Sequence, residues 1–178
     1  MNIKHCAFIS IPAALIGIIL FAWQKEIIIF NFGHTISAHE TTKTSQKKII
    51  PFFYWLNDEM QTEQIQLIFS DSAATNMQQL VSRWLQLIFE EKTIRKKVQL
   101  QTATLNFDQQ ELIISFDRFP WDKESSTFNK WMTIEALLKT IKNAEPNIKR
   151  VRFLLNQQPM NDTHLDFTNP WPINGFNQ

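Results

Sequence analysis

Few residues of this chain have the types and spacing that chemistry requires. Asp162, His164 and Asp166 form a D-x-H-x-D run, whose alternate positions point one way if the stretch is extended. A metal ion needs three or four ligands converging at short spacing, and no second histidine supports these three, because His5, His34 and His39 all lie upstream of the folded part. Acidic loop residues beside a histidine are usually solvated, so no metal is expected here. Asp117 and Asp122 flank Arg118-Phe119-Pro120-Trp121, and paired carboxylates can cleave glycosides. The plainer reading has Asp117 ending a strand and Asp122 leading into a helix. Serine hydrolysis would need a nucleophile on a strained elbow, but G-x-S-x-G is absent. With 3 glycines, neither GxGxxG nor GxxxxGK[ST] occurs, so no phosphate-cradling loop and no cofactor is expected.

The aromatic residues are more informative. Phe119-Pro120-Trp121 and Pro170-Trp171-Pro172 place large amphipathic rings on rigid segments. Exposed, such rings stack on sugars or anchor a partner protein; buried, they close the ends of a small core. Burial is the commoner outcome, and Phe119, Trp121 and Trp171 are the candidates for a contact surface. Arg95-Lys96-Lys97 with Arg150 and Arg152 could make a basic patch, though a solvated sheet face accounts for such charges as well. Lys+Arg of 18 against Asp+Glu of 17 leaves a formal charge of +1, which argues against a nucleic-acid partner. One cysteine excludes an intramolecular disulfide and a cysteine-rich zinc site.

Behind these residues stands a pattern of elements. A hydrophobic content of 44%, with 6 Trp and 15 Phe, is enough for a packed core. From Ile49 the order reads β-β-α-β-β-α-β. Ile49 to Leu56 is an apolar run of strand length in which Pro51 marks a strand start or a sheet edge. Ile65, Leu67 and Phe69 mark a second strand. Ser70, Asp71 and Ser72 offer caps for a helix whose apolar face is Met77, Leu80, Val81, Trp84, Leu85 and Ile88. Val98, Leu100 and Thr102 alternate as a third strand; Asp108-Gln109-Gln110 turns into a fourth containing Leu112, Ile114 and Phe116. Ser125 or Ser126 caps a second helix that faces inward through Trp131, Ile134, Leu138 and Ile141 and cannot pass Pro146. Val151, Phe153 and Leu155 give a last strand, and the chain is irregular after Asn156. One-faced strands and one-faced helices predict an α+β domain: a two-layer sandwich of a small mixed sheet with two helices, preceded by an N-terminal transmembrane helix.

That preceding helix is the run Cys6 to Trp23, eighteen residues without a charge, at the short end of what spans a bilayer. Lys4 before it keeps the N-terminus inside and the rest outside the cytoplasm. A cleaved signal peptide is the competing reading, but no A-x-A follows Trp23 closely. Residues 1–32 are thus expected to be a membrane anchor, residues 33–48 a polar tether and residues 49–178 the folded domain.

The second half resembles the GerMN domain of sporulation and spore-germination proteins. Ala136-Leu137-Leu138-Lys139-Thr140-Ile141, a short acidic and proline-containing turn, and Ile148 to Asn156 look like the family's helix, Thr, turn and V-x-F strand. Leu165-Asp166-Phe167-Thr168-Asn169-Pro170 resembles its closing L-D-[LF]-[ST]-x-P segment. The likeness runs over residues 49–172, with departures: Gln157-Gln158 stands where a glycine is expected, and the Gly-Pro turn after the first helix is missing. The resemblance implies a non-catalytic extracytoplasmic module of a bacterial cell envelope that binds ligands or assembles with copies of itself. Expected partners are the membrane, a second copy or an envelope protein, and cell-wall glycan. Two alternatives belong to other classes: a membrane-tethered glycan hydrolase using Asp117 and Asp122, and a structural envelope subunit pairing through the edge of Ile49–Leu56.

Overall fold

The computed structural model describes residues 46–122 and 124–175. Strand β1 (Gln46–Leu56) and strand β2 (Glu59–Phe69) form a hairpin in antiparallel register, with Leu56 opposite Glu59. Asn57 and Asp58 make its two-residue turn, both at positive φ (52° and 59°), the backbone that a type I′ turn demands and that Asn and Asp tolerate best among non-glycines. Helix α1 (Ala73–Glu90) follows, then β3 (Leu100–Leu105), β4 (Glu111–Phe116), helix α2 (Thr127–Ala144) and β5 (Arg150–Leu155). Two short strands, β6 (Gln158–Pro159) and β7 (Trp171–Pro172), both pair with β5. The second sheet is mixed: β3 and β4 are antiparallel, whereas β4 and β5 are parallel and joined through α2.

Each helix is delimited by its own sequence. Ser72 caps α1 by accepting from the Thr75 N–H at 3.3 Å, and Ser126 caps α2 by accepting from the Asn129 N–H at 3.1 Å. At the far end of α1, Lys92 takes positive φ (57°), and the N–H groups of Thr93 and Lys92 return to the carbonyls of Ile88 and Phe89. This is a Schellman stop with lysine in the position that glycine usually fills. α2 ends at Ala144, two residues before Pro146.

The expected α+β order is present, and Met77, Leu80, Val81, Trp84, Leu85 and Ile88 are all buried as their spacing predicts. Three points differ from expectation. First, β1 starts at Gln46 rather than at Ile49, and β2 starts at Glu59, directly after the turn. Second, the strands form two sheets, not one. The reason lies at Phe53, where the outward N–H of β1 donates to Thr140 Oγ1 (2.9 Å) and the outward carbonyl accepts from Trp84 Nε1 (2.8 Å). Helix side chains occupy the edge through which β1 would otherwise have joined the larger sheet. Third, the tail after Asn156 is not wholly irregular. Asn156 and Gln157, both at positive φ, turn β5 back into β6, so that turn forms without the glycine the family pattern led one to expect.

Among the described residues no helix is long and apolar enough to cross a membrane. The expected anchor, and the tether up to residue 45, lie outside the described residues.

Candidate functional site

The loops α1–β3 and β4–α2 come together at the N-terminus of α2. The Schellman stop turns Ile94 inward (3% exposed) and leaves Arg95 and Lys96 outside it. The β4–α2 loop is tied at its root: Asp117 accepts the Gln99 N–H at 2.8 Å, returns its own N–H to the Gln99 carbonyl at 3.0 Å, and holds Arg118 Nε at 3.0 Å. Further along, Asp122 faces Arg95 Nε at 3.4 Å. Between the two loops lies an open groove of about 700 Å³, lined by Ile94, Arg95, Lys96, Arg118, Phe119, Trp121, Asp122 and Glu124, with Ser125, Ser126 and Asn129 about the start of α2. A second hollow of about 230 Å³, reaching Trp55 and the β1–β2 turn, shares Ile94, Trp121, Ser125 and Asn129 with it. Trp55 donates from Nε1 to Asn129 at 3.2 Å and meets the half-exposed Phe128 edge-on, with ring centroids 5.6 Å apart.

The groove is therefore walled by charges of both signs on an aromatic floor. Arg95 and Arg118 each face a carboxylate, and among the described residues Lys96 and Glu124 have no ion-pair partner. Such a wall suits a ligand carrying its own mixed charge and a flat or ring-shaped apolar part.

The sequence candidates separate here. Phe119 is partly buried, packs on Trp121 at 5.5 Å and lines the groove. Trp121 is only 7% exposed; its ring stacks on Phe167 at 5.8 Å, so it forms the floor rather than a free platform. Trp171 is buried rather than displayed. It is 3% exposed, stacked on Phe167, edge-on to Phe153, and donates from Nε1 to the Asp166 carbonyl at 3.0 Å. The prolines on either side stiffen a segment that closes the core, and rigidity alone does not distinguish that from display.

Asp162, His164 and Asp166 do not converge either. Asp162 Oδ2 accepts from Lys130 Nζ at 2.8 Å, with both side chains buried (7% and 3% exposed). Burial opposes the charge on Asp162, but the bond from Lys130 and the backbone N–H groups of His164 and Leu165 outweigh it and hold the carboxyl below the usual carboxylate range. His164 is largely exposed and bonds Thr163, and Asp166 accepts the Thr168 N–H at 2.8 Å. The run is a fastening for the C-terminal segment. Sequence reading missed its principal partner, Lys130, because an inward-facing lysine on a helix has no periodic signature of its own.

Arg150 and Arg152 share Glu111 (3.5 and 2.7 Å), as cross-strand pairs on parallel neighbours, and do not join Arg95–Lys97 in one patch.

No protein-family profile matches the chain, and no curated protein matches it. The chain is similar to two solved structures at low identity. A lipoprotein candidate from Clostridium perfringens has 15% identity and a TM-score of 0.39, over 72% of this chain and 87% of the other. The tandem GerMN domains of the sporulation protein GerM from Bacillus subtilis have 12% identity and a TM-score of 0.43, over 77% of this chain and 48% of the other, so the chain spans about half of that structure.

Proposed function

We propose that this chain is a membrane-anchored, non-catalytic binding domain of a bacterial cell envelope, held outside the cytoplasm by residues 1–32, with the groove between Lys96 and Phe119 as its contact site. The observation that carries this reading is the groove itself: an open hollow with an aromatic floor and an ion-pair-lined rim, at the end of the fold where three loops meet. Binding is favoured over glycan hydrolysis because both candidate carboxylates are already engaged, Asp117 by Gln99 and Arg118, and Asp122 by Arg95. Cell-wall glycan with its peptide stems offers the matching chemistry: sugar faces for the rings and both charge signs for the rim.

The test is co-sedimentation of the full-length chain, in detergent, with purified cell-wall sacculi. Wild type should pellet, and Phe119→Ala with Lys96→Glu should stay in solution while keeping the far-ultraviolet circular dichroism of the native fold. Equal pelleting of the double variant would remove the groove from the reading. Sugar release from the sacculi that disappears in Asp117→Asn and Asp122→Asn would replace binding with hydrolysis.

A further inference from the structure

The two edges of the β1–β2 hairpin are treated differently. In an antiparallel pair, successive residues turn their N–H and C=O alternately toward the partner and away from it. Leu56 and Glu59 flank the two-residue turn and so face each other, and Phe53, bonded by Thr140 and Trp84, faces away. Both observations give the same phase. On β1 the outward positions include Phe53, covered by the helices, and Pro51, which has no N–H to offer. On β2 they are Met60, Thr62, Gln64, Gln66 and Ile68. Among the described residues no strand other than β1 pairs with β2. Thr62, Gln64, Gln66 and Ile68 are exposed, Ile68 to 54%. None of the five is charged and none is proline, which are the usual devices that keep a bare edge from pairing.

Water satisfies these groups one by one, but among protein partners only an extended backbone matches the whole row, and the side chains choose which one. We propose that β2 pairs antiparallel with β2 of a second copy of this chain, about a twofold axis at Gln64, joining two hairpins into a four-stranded sheet. In that register Gln64 meets its own copy, Thr62 meets Gln66, and Met60 meets Ile68, so no charge confronts a charge on the outer face. Glu59 and Glu63 lie on the other face, opposite Phe69 and Ile65 of the second copy rather than opposite each other. In this register β2 meets its own reverse with no like-charge pair on either face, so a second copy of the chain fits the edge. This surface is separate from the groove, and the proposal stands whether or not the groove binds glycan.

The register makes the test specific. In the full-length chain with Cys6→Ser, Gln64→Cys places two thiols at a directly opposed pair about 5.5 Å apart between Cα atoms, within disulfide range. Gln66→Cys places each thiol opposite Thr62 instead. Mild oxidation in detergent should give about tenfold more disulfide dimer for Gln64→Cys than for Gln66→Cys. Light scattering should find wild type at twice the chain mass and both Gln64→Pro and Gln64→Lys at the single mass, with unchanged circular dichroism. Proline at an outward position spares the β1–β2 ladder, as Pro51 shows, and the lysine variant checks the same contact without a backbone change. A monomeric wild type, equal cross-linking at the two positions, or a dimer indifferent to both Gln64 variants would overturn the proposal.

Discussion

Lys130→Met strips the counter-charge from a buried carboxylate while keeping most of the side chain's volume. Lys130 Nζ and Asp162 Oδ2 are 2.8 Å apart, and the two side chains are 3% and 7% exposed. Removing one member of such a pair costs about 3–5 kcal/mol, because the remaining charge is left in a poorly solvating site. Here Asp162 still accepts the His164 N–H at 3.0 Å, which places the loss near the lower end, about 3 kcal/mol. For a domain of this size that is a fall in melting temperature of roughly 10–15 °C. Lys130→Met with Asp162→Leu removes both charges and should recover most of it. The pH dependence has a defined sign. The folded carboxyl of Asp162 lies below its ordinary value, so its contribution is complete above about pH 3.9 and fades as pH falls through the folded value. Without Lys130 burial pushes the folded carboxyl up, so ionised Asp162 no longer stabilises the fold, and the deficit of Lys130→Met against wild type should narrow as pH falls and the carboxyl is protonated. Urea unfolding followed by tryptophan fluorescence, at pH 7 and across the acid range, measures each quantity. A loss below about 1 kcal/mol for Lys130→Met, or a double variant less stable than the single, would refute the reasoning.

Two further outcomes follow from the same structure. Trp171→Ala should cost about 3–5 kcal/mol by urea unfolding, as expected for a ring buried among Phe153 and Phe167, whereas Phe119→Ala at the groove rim should cost clearly less. Asp58→Val should cost about 1–2 kcal/mol although the site is exposed, because a β-branched residue resists positive φ; Asp58→Gly should not, and thermal unfolding of the two separates backbone strain from lost contacts.

Much of this domain was legible in one dimension because its signals are local. Helical spacing from Met77 to Ile88, the serines before each helix and Pro146 after the second are properties of consecutive residues, and the structure uses each of them. The start of β2 escaped because its turn is Asn57-Asp58, lacking the glycine that usually announces a two-residue hairpin. The groove was half visible, as Phe119 and Trp121, but Arg95 and Lys96 approach it from a loop more than twenty residues earlier in the chain.

By itself the sequence determined the order of the two helices and the five longer strands, the single buried face of α1, and an eighteen-residue apolar run ahead of the folded part; α2, also read as one-faced, is instead buried without a break from Thr133 to Leu138. Tertiary structure alone decided that the strands divide into two sheets, that Trp171 closes the core, and that Lys130 finds Asp162. Periodicity records how much of a residue is hidden; the identity of whatever hides it depends on contacts between residues far apart in the chain, and no local pattern encodes those.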